Sequence, residues 1–197
     1  MDLRQLEAAT EILPRWFYER ATVEVARELL GKILVHGRTA GRIVETEAYL
    51  GAEDLAAQAS RGVTDRTRVL FGPPGHAYVF FIYGMYECLN LVAEPEGTPG
   101  CVLIRALEPV AGIGLMRRRR PKARSIEDLA NGPGKLTLAM GITRRHYGAD
   151  VTQGPLTVRR LKNEPPFEVA TTPRIGIRHS AEWPLRFVIA GSRCVSG

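Results

Sequence analysis

Arg42-Ile43-Val44-Glu45-Thr46-Glu47-Ala48-Tyr49 is an apolar, partly β-branched run with two acids in its middle. Its residue types suit a strand. Side chains alternate along a strand, so Glu45, Glu47 and Tyr49 share one face, and Val44, Thr46 and Ala48 share the other. Acids with apolar neighbours do not face a dry core unpaired. They either pair with arginines or line a cleft. Arg105, embedded in Val102-Leu103-Ile104-Arg105-Ala106-Leu107, is a matching opposite charge. A buried Glu–Arg pair that fixes strand register and a catalytic carboxylate both fit these residues.

Upstream, residues 32–36 read as a second strand, joined to residues 41–49 by the turn-like Gly37-Arg38-Thr39-Ala40-Gly41. Before it, Thr22 can cap a helix whose Val23, Ala26 and Leu30 fall on one face, and Gly31 is placed to end it. Downstream, residues 50–76 form a long polar connection with an alanine-rich piece at 54–59. Its end, Leu70-Phe71-Gly72-Pro73-Pro74-Gly75, is neither regular helix nor central strand. Long loops of this kind are often functional. Strands are expected at 77–82, 87–93 and 101–107, and a helix at 109–118 with Pro109 in its first turn. A further helix within 126–141 starts after Asn131-Gly132-Pro133, and short strands are expected at 156–160, 174–178 and 185–190. Residues 1–20 are mixed and give no clear assignment. With no repeat and no linker, residues 1–197 read as one α+β domain, antiparallel strands with helices packed around them.

Tyr78-Val79-Phe80-Phe81-Ile82-Tyr83-Gly84-Met85-Tyr86-Glu87-Cys88-Leu89-Asn90 reads as an aromatic hairpin. Such a run alone suits a core strand. Gly84, however, permits a tight turn, which puts Tyr83, Met85 and Tyr86 at a protruding tip. Large apolar side chains on a tip usually have a partner, and wedges of this type can enter a base stack.

The net charge is +6, and residues 117–124 (Arg-Arg-Arg-Arg-Pro-Lys-Ala-Arg) hold six positive charges and no negative one. This favours phosphate or anionic-membrane contact, with a solvated loop as the plainer alternative. Cys88, Cys101 and Cys194 are odd in number and widely spaced, with no CxxC pair. A zinc or iron–sulfur site is not expected, and a reducing compartment fits, cytoplasmic or nuclear rather than secreted. The N-terminus lacks a signal-peptide apolar region, and no apolar run approaches the ~20 residues of a membrane span. His36, His76, His146 and His179 lack metal-ligand spacing. There is no GxSxG elbow. Gly132-Pro133-Gly134-Lys135-Leu136 resembles a P-loop but has Leu136 where Ser or Thr is required. A glycine-proline helix start explains it, and Lys135 with the first amides could still hold one phosphate.

From about Ala26 onward the chain resembles the alkyladenine (3-methyladenine) DNA glycosylases of the single-domain type without helix-hairpin-helix. The resemblance rests on ordered blocks: residues 42–49, Phe71-Gly72-Pro73-Pro74-Gly75, Tyr83-Gly84-Met85-Tyr86, Val102 to Pro109, and Gly132 to Leu136. It implies a mixed domain with a curved antiparallel sheet and a protruding hairpin. Glu47 matches the base that activates water, Arg105 an arginine that helps hold it, and Ile175 a main-chain carbonyl completing the water site. Tyr83 matches the intercalating tyrosine. Tyr49 and Phe80 match the aromatic pair that sandwiches an extruded base. Asn90 matches the asparagine that screens against guanine, and Cys88 and Leu103 match other pocket walls. Gln58 stands where the family usually has His, and Phe80 where a tyrosine is common. Arg66, Arg68, Lys135 and the 117–124 run are then expected on DNA phosphates, beside Met85 and Tyr86 at the tip.

The implied activity is monofunctional removal of damaged purines from double-stranded DNA, by a monomer needing no metal or cofactor. An alkylated purine is a cationic leaving group, so one carboxylate can suffice. No lysine stands out as a Schiff-base nucleophile, so lyase activity is not expected. A non-enzymatic nucleic-acid-binding domain would need no Glu47, and a hydrolase of free nucleosides would need no Tyr83.

Overall fold

The computed structural model describes residues 3–82 and 84–196. Its elements run α1 (Leu3–Ala8), β1 (Thr10–Ile12), α2 (Arg15–Tyr18), α3 (Thr22–Glu28), β2 (Ile33–His36), β3 (Thr39–Tyr49), β4 (Ala77–Ile82), β5 (Tyr86–Val92), β6 (Cys101–Ala111), α4 (Ile113–Arg119), α5 (Pro133–Met140), β7 (Leu156–Leu161), β8 (Val169–Thr172) and β9 (Arg186–Ile189). Among the described residues nine strands form one sheet in the order β1-β7-β2-β3-β6-β5-β4, with β9 on β3 and β8 on β9. The strand pairings among the described residues are antiparallel. This is the α+β class that the sequence predicts. Among the described residues no helix is long and apolar enough to cross a membrane.

β3 is the axis of the sheet. One edge pairs with β6 from Ala40↔Ala111 to Tyr49↔Cys101. The other edge pairs first with β2, over Thr39 to Arg42, and then with β9, over Glu45 to Glu47. Register shifts between Ile43 and Thr46 mark where the partner changes. With both edges taken the strand is almost wholly buried, as its apolar, branched residues require. Gly41 lets β6 approach closely, since a Cβ there would stand 2.9 Å from the Leu107 Cβ.

The predicted two faces of β3 are distinct. Val44 and Ala48 join the main core with Val25, Ala26 and Leu29 around α3, and Thr46 Oγ1 donates to the Ala26 carbonyl at 2.8 Å. Glu45, Glu47 and Tyr49 instead turn to a cluster of arginines beside a cavity.

Several local expectations are corrected. The β2–β3 turn is only Gly37-Arg38, because Thr39 to Gly41 already pair with β2. Pro109 does not start a helix. It lies in β6 opposite Gly41, beside a register shift where its missing N–H breaks little of the ladder. The helix begins after Gly112, in the left-handed region at φ 71°. Residues 174–178 are irregular, and the strand expected there is β8, paired with β9. Thr22 is the first residue of α3 rather than its cap. Its N–H and hydroxyl donate to Glu94, 72 residues away, at 2.6 and 2.8 Å. From Leu3 onward the N-terminal segment is built in: β1 pairs with β7, and Phe17 and Tyr18 are buried in the core.

Candidate active site

Glu47 has no solvent exposure. Its Oε1 accepts the main-chain N–H of Ile175 at 2.8 Å. Its Oε2 accepts the Tyr49 hydroxyl at 2.9 Å and Arg105 Nη1 at 3.3 Å. Burial raises the Tyr49 phenol far above its ordinary value, and the Glu47 charge raises it further, so Tyr49 stays a donor. Ile175 meets Glu47 through its N–H.

Arg105 bridges the two acids. Its Nε donates to Glu45 Oε1 at 2.8 Å, while Nε and Nη2 reach Ser196 Oγ at 3.3 and 3.0 Å. Burial alone would lower the Arg105 pKa, but Glu47 and Glu45 outweigh it and the net shift is upward. Glu45 also accepts Arg186 Nε at 2.7 Å, and the Ser196 N–H and hydroxyl at 2.6 and 2.8 Å. The buried acids Glu45 and Glu47 thus face the guanidiniums Arg105 and Arg186, which balances charge where water cannot.

A cavity of about 510 Å³ opens beside this network. Strand alternation points Phe80 of β4, Cys88 and Asn90 of β5, and Leu103 and Arg105 of β6 into it. Tyr49 at the end of β3, Gln58 in a 3-10 turn (Gln58–Arg61), and Ile175 complete that wall. Glu47 lies behind the wall, bonded to the lining residues Tyr49, Arg105 and Ile175. Asn90 is held in place: its amide donates to the Tyr78 carbonyl at 3.2 Å, and its oxygen accepts the Cys101 thiol at 3.8 Å. Burial pushes the Cys88 thiol up to about 11. The volume lies in the range of small-ligand pockets.

A second buried pair escaped sequence reasoning. Arg174 Nη1 and Nη2 contact Asp54 Oδ2 and Oδ1 at 2.5 and 2.8 Å, with neither side chain exposed. Arg174 also donates to the Ala48 carbonyl at 3.0 Å and stacks 4.6 Å from the Tyr49 ring centroid. Asp54 accepts the N–H groups of Leu50 and Ala56, both at 3.1 Å. The pair ties the Gln58 loop to the segment carrying Ile175. Its members lie 120 residues apart, so no local pattern announces it.

The expected DNA-contacting residues are dispersed. Met85 and Tyr86 are exposed near the tip of the β4–β5 hairpin, at 64% and 46%. Tyr86 also flanks the cavity against Gly134, where a Cβ would stand 2.6 Å from its ring. Tyr83 lies outside the described residues. Arg66 stacks on Phe80 at 5.1 Å, and Arg68 is exposed, 3.9 Å from Asp65. Lys135 lines the cavity but is held by Asp128 and Asn131, both at 2.8 Å. The basic run is partly structural: Arg119 donates to the Ala139 carbonyl at the end of α5, and Arg120 to the Asp128 carbonyl. Arg117, Arg118, Lys122 and Arg124 remain exposed.

Residues 16–193 match the model of the methylpurine-DNA glycosylase (MPG) family. A protein of Methanocella arvoryzae named “Putative 3-methyladenine DNA glycosylase” is 54% identical over 194 residues, covering 94% of this chain and 96% of its own. Relatives of the same name from Methanoculleus marisnigri and Koribacter versatilis are 53% and 50% identical, covering 93% and 94% of this chain and 98% and 93% of their own. The chain belongs to the methylpurine-DNA glycosylase family and is a DNA glycosylase, a hydrolase of N-glycosyl bonds.

Proposed function

We propose that the protein removes alkylated and otherwise damaged purines from duplex DNA by monofunctional hydrolysis, acting as a monomer, with Glu47 as general base. The observation that carries this reading is a fully buried carboxylate, ringed by donors, directly behind the wall of a cavity large enough to admit a purine. The lesion nucleotide is extruded, and its base enters between Tyr49 and Phe80. Asn90, with its amide fixed, meets the purine edge. Tyr83 fills the vacated stack, and Met85 and Tyr86, both exposed, support it.

Water reaches Glu47 past Arg105, whose 3.3 Å contact is the longest of those described for this carboxylate. The Ile175 carbonyl helps to hold that water. As the water oxygen bonds to C1′, its proton passes to Glu47. The C1′–N bond breaks and its electron pair neutralises the purine cation. The Glu47 charge stabilises the oxocarbenium-like sugar. Lys135, ion-paired to Asp128, is not poised as an amine nucleophile. Arg66, Arg68, Lys135 and the exposed basic residues of the 117–124 run contact phosphates, so affinity falls steeply with salt.

The test is single-turnover base release from duplexes carrying 7-methylguanine, 3-methyladenine, ethenoadenine or hypoxanthine. Glu47→Gln should slow release by on the order of a thousandfold while lesion binding persists. Normal release by the variant would remove Glu47 from the mechanism, and tight lesion binding by the wild type without release of any base would make the protein a binding module. The order of the four rates defines what Gln58 does to lesion range.

A further inference from the structure

We propose that Ser196 is a positioning residue for base excision, acting through Arg105 and Glu45 on the site of Glu47. The inference rests on the reading of Glu47 as the base. Ser196 belongs to the tail after β9, far from the pocket in sequence, yet its polar atoms are spent on the charged network. Its hydroxyl donates to Glu45 Oε1 at 2.8 Å and accepts Arg105 Nη2 at 3.0 Å. Its N–H donates to Glu45 Oε2 at 2.6 Å, and its carbonyl accepts Arg186 Nη2 at 3.1 Å. The residue is only 8% exposed.

The geometry explains why a hydroxyl is needed there. Arg105 must keep Nη1 turned to Glu47 while its remaining nitrogens are satisfied without water. Glu45 takes Nε. The Ser196 hydroxyl takes Nη2, the nitrogen that would otherwise pivot the guanidinium towards the cavity it lines. Donating to Glu45 while accepting from Arg105, one hydroxyl locks acid and base in a single orientation, which alanine cannot do. The Arg105 guanidinium is thereby fixed beside Glu47, where the attacking water is expected to bind.

The experiment compares Ser196→Ala and Ser196→Thr with wild type, each measured for single-turnover release, lesion-duplex Kd and melting. The expected result for Ser196→Ala is a release rate roughly tenfold lower, the scale of one charge-assisted hydrogen bond, with Kd unchanged. Ser196→Thr keeps the hydroxyl and should recover most of that loss. Placed on Arg105→Gln, Ser196→Ala should cost nothing further. Ser192→Ala removes only the cap on the Cys194 N–H and should leave the rate at the wild-type level. A wild-type rate in folded Ser196→Ala overturns the proposal, as does an equal loss in Ser196→Thr of wild-type melting temperature. Glu47→Gln is run alongside: if it releases base normally, the reading of the base fails, whereas a silent Glu47→Gln beside a fully active Ser196→Ala defeats only the positioning role.

Discussion

Glu45 and Glu47 lie two residues apart on β3, neither is exposed, and both touch Arg105. They differ in what else they hold. Glu45 is saturated by close charged contacts, with Arg105 and Arg186 at 2.8 and 2.7 Å and the Ser196 N–H at 2.6 Å. Glu47 has one looser guanidinium contact, a tyrosine and an amide. A saturated buried carboxylate serves structure, because removing it strands its arginines. A carboxylate bordered by a cavity and held by replaceable donors is available for chemistry.

The largest test of this contrast is stability. Glu45→Gln should cost about 3–5 kcal/mol in chemical denaturation, the range for breaking one side of a buried ion pair. Glu47→Gln should cost less, about 1–2 kcal/mol, since its one amide oxygen can still accept from the Ile175 N–H, its NH2 can donate to the Tyr49 phenol oxygen, and Arg105 keeps its bond to Glu45. Equal losses would erase the distinction. Next in size, Tyr49→Phe keeps the ring but removes the donor to Glu47, and should slow base release by roughly tenfold without changing lesion affinity. Weakened binding with an unchanged rate would assign Tyr49 to stacking alone.

The smallest effect lies away from both acids. His36 Nδ1 donates to the Met140 carbonyl oxygen at 2.8 Å, and the ring packs edge-on against His146 at 4.5 Å. Burial lowers its pKa, the Met140 hydrogen bond opposes this, and the charges of His146 and Arg119 reinforce it. The folded state therefore binds fewer protons than the unfolded one as pH drops below about 6.5. This contribution is intact above that value and is lost as pH falls. Denaturation midpoints measured from pH 7.5 to 5 should decline less steeply in His36→Gln than in wild type.

The strand carrying both acids was legible because β-branched and apolar residues cluster there, and Arg105 stood out as a charge in a similar run. The hairpin was legible from its aromatic run and Gly84, whereas pocket residues Cys88, Asn90 and Leu103 rested on the family resemblance alone. What sequence could not supply was remote pairing. Arg186 and Ser196 meet Glu45 from 141 and 151 residues away, and Asp54 meets Arg174 across 120. Pro109 misled because proline marks both a helix start and a break in a strand ladder. The 174–178 stretch looked like a strand, but Arg174 is drawn away to Asp54 and the Ile175 amide to Glu47.

The order in which these residues occur along the chain has a consequence for biosynthesis. Glu45 and Glu47 leave the ribosome first, and their partners Ile175, Arg186 and Ser196 follow 128, 141 and 151 residues after the acid each one meets. A nascent or prematurely terminated protein therefore has its acids without the groups that orient them. The arrangement around β3 is therefore assembled only once residues 175–196 have been made and have reached the two acids.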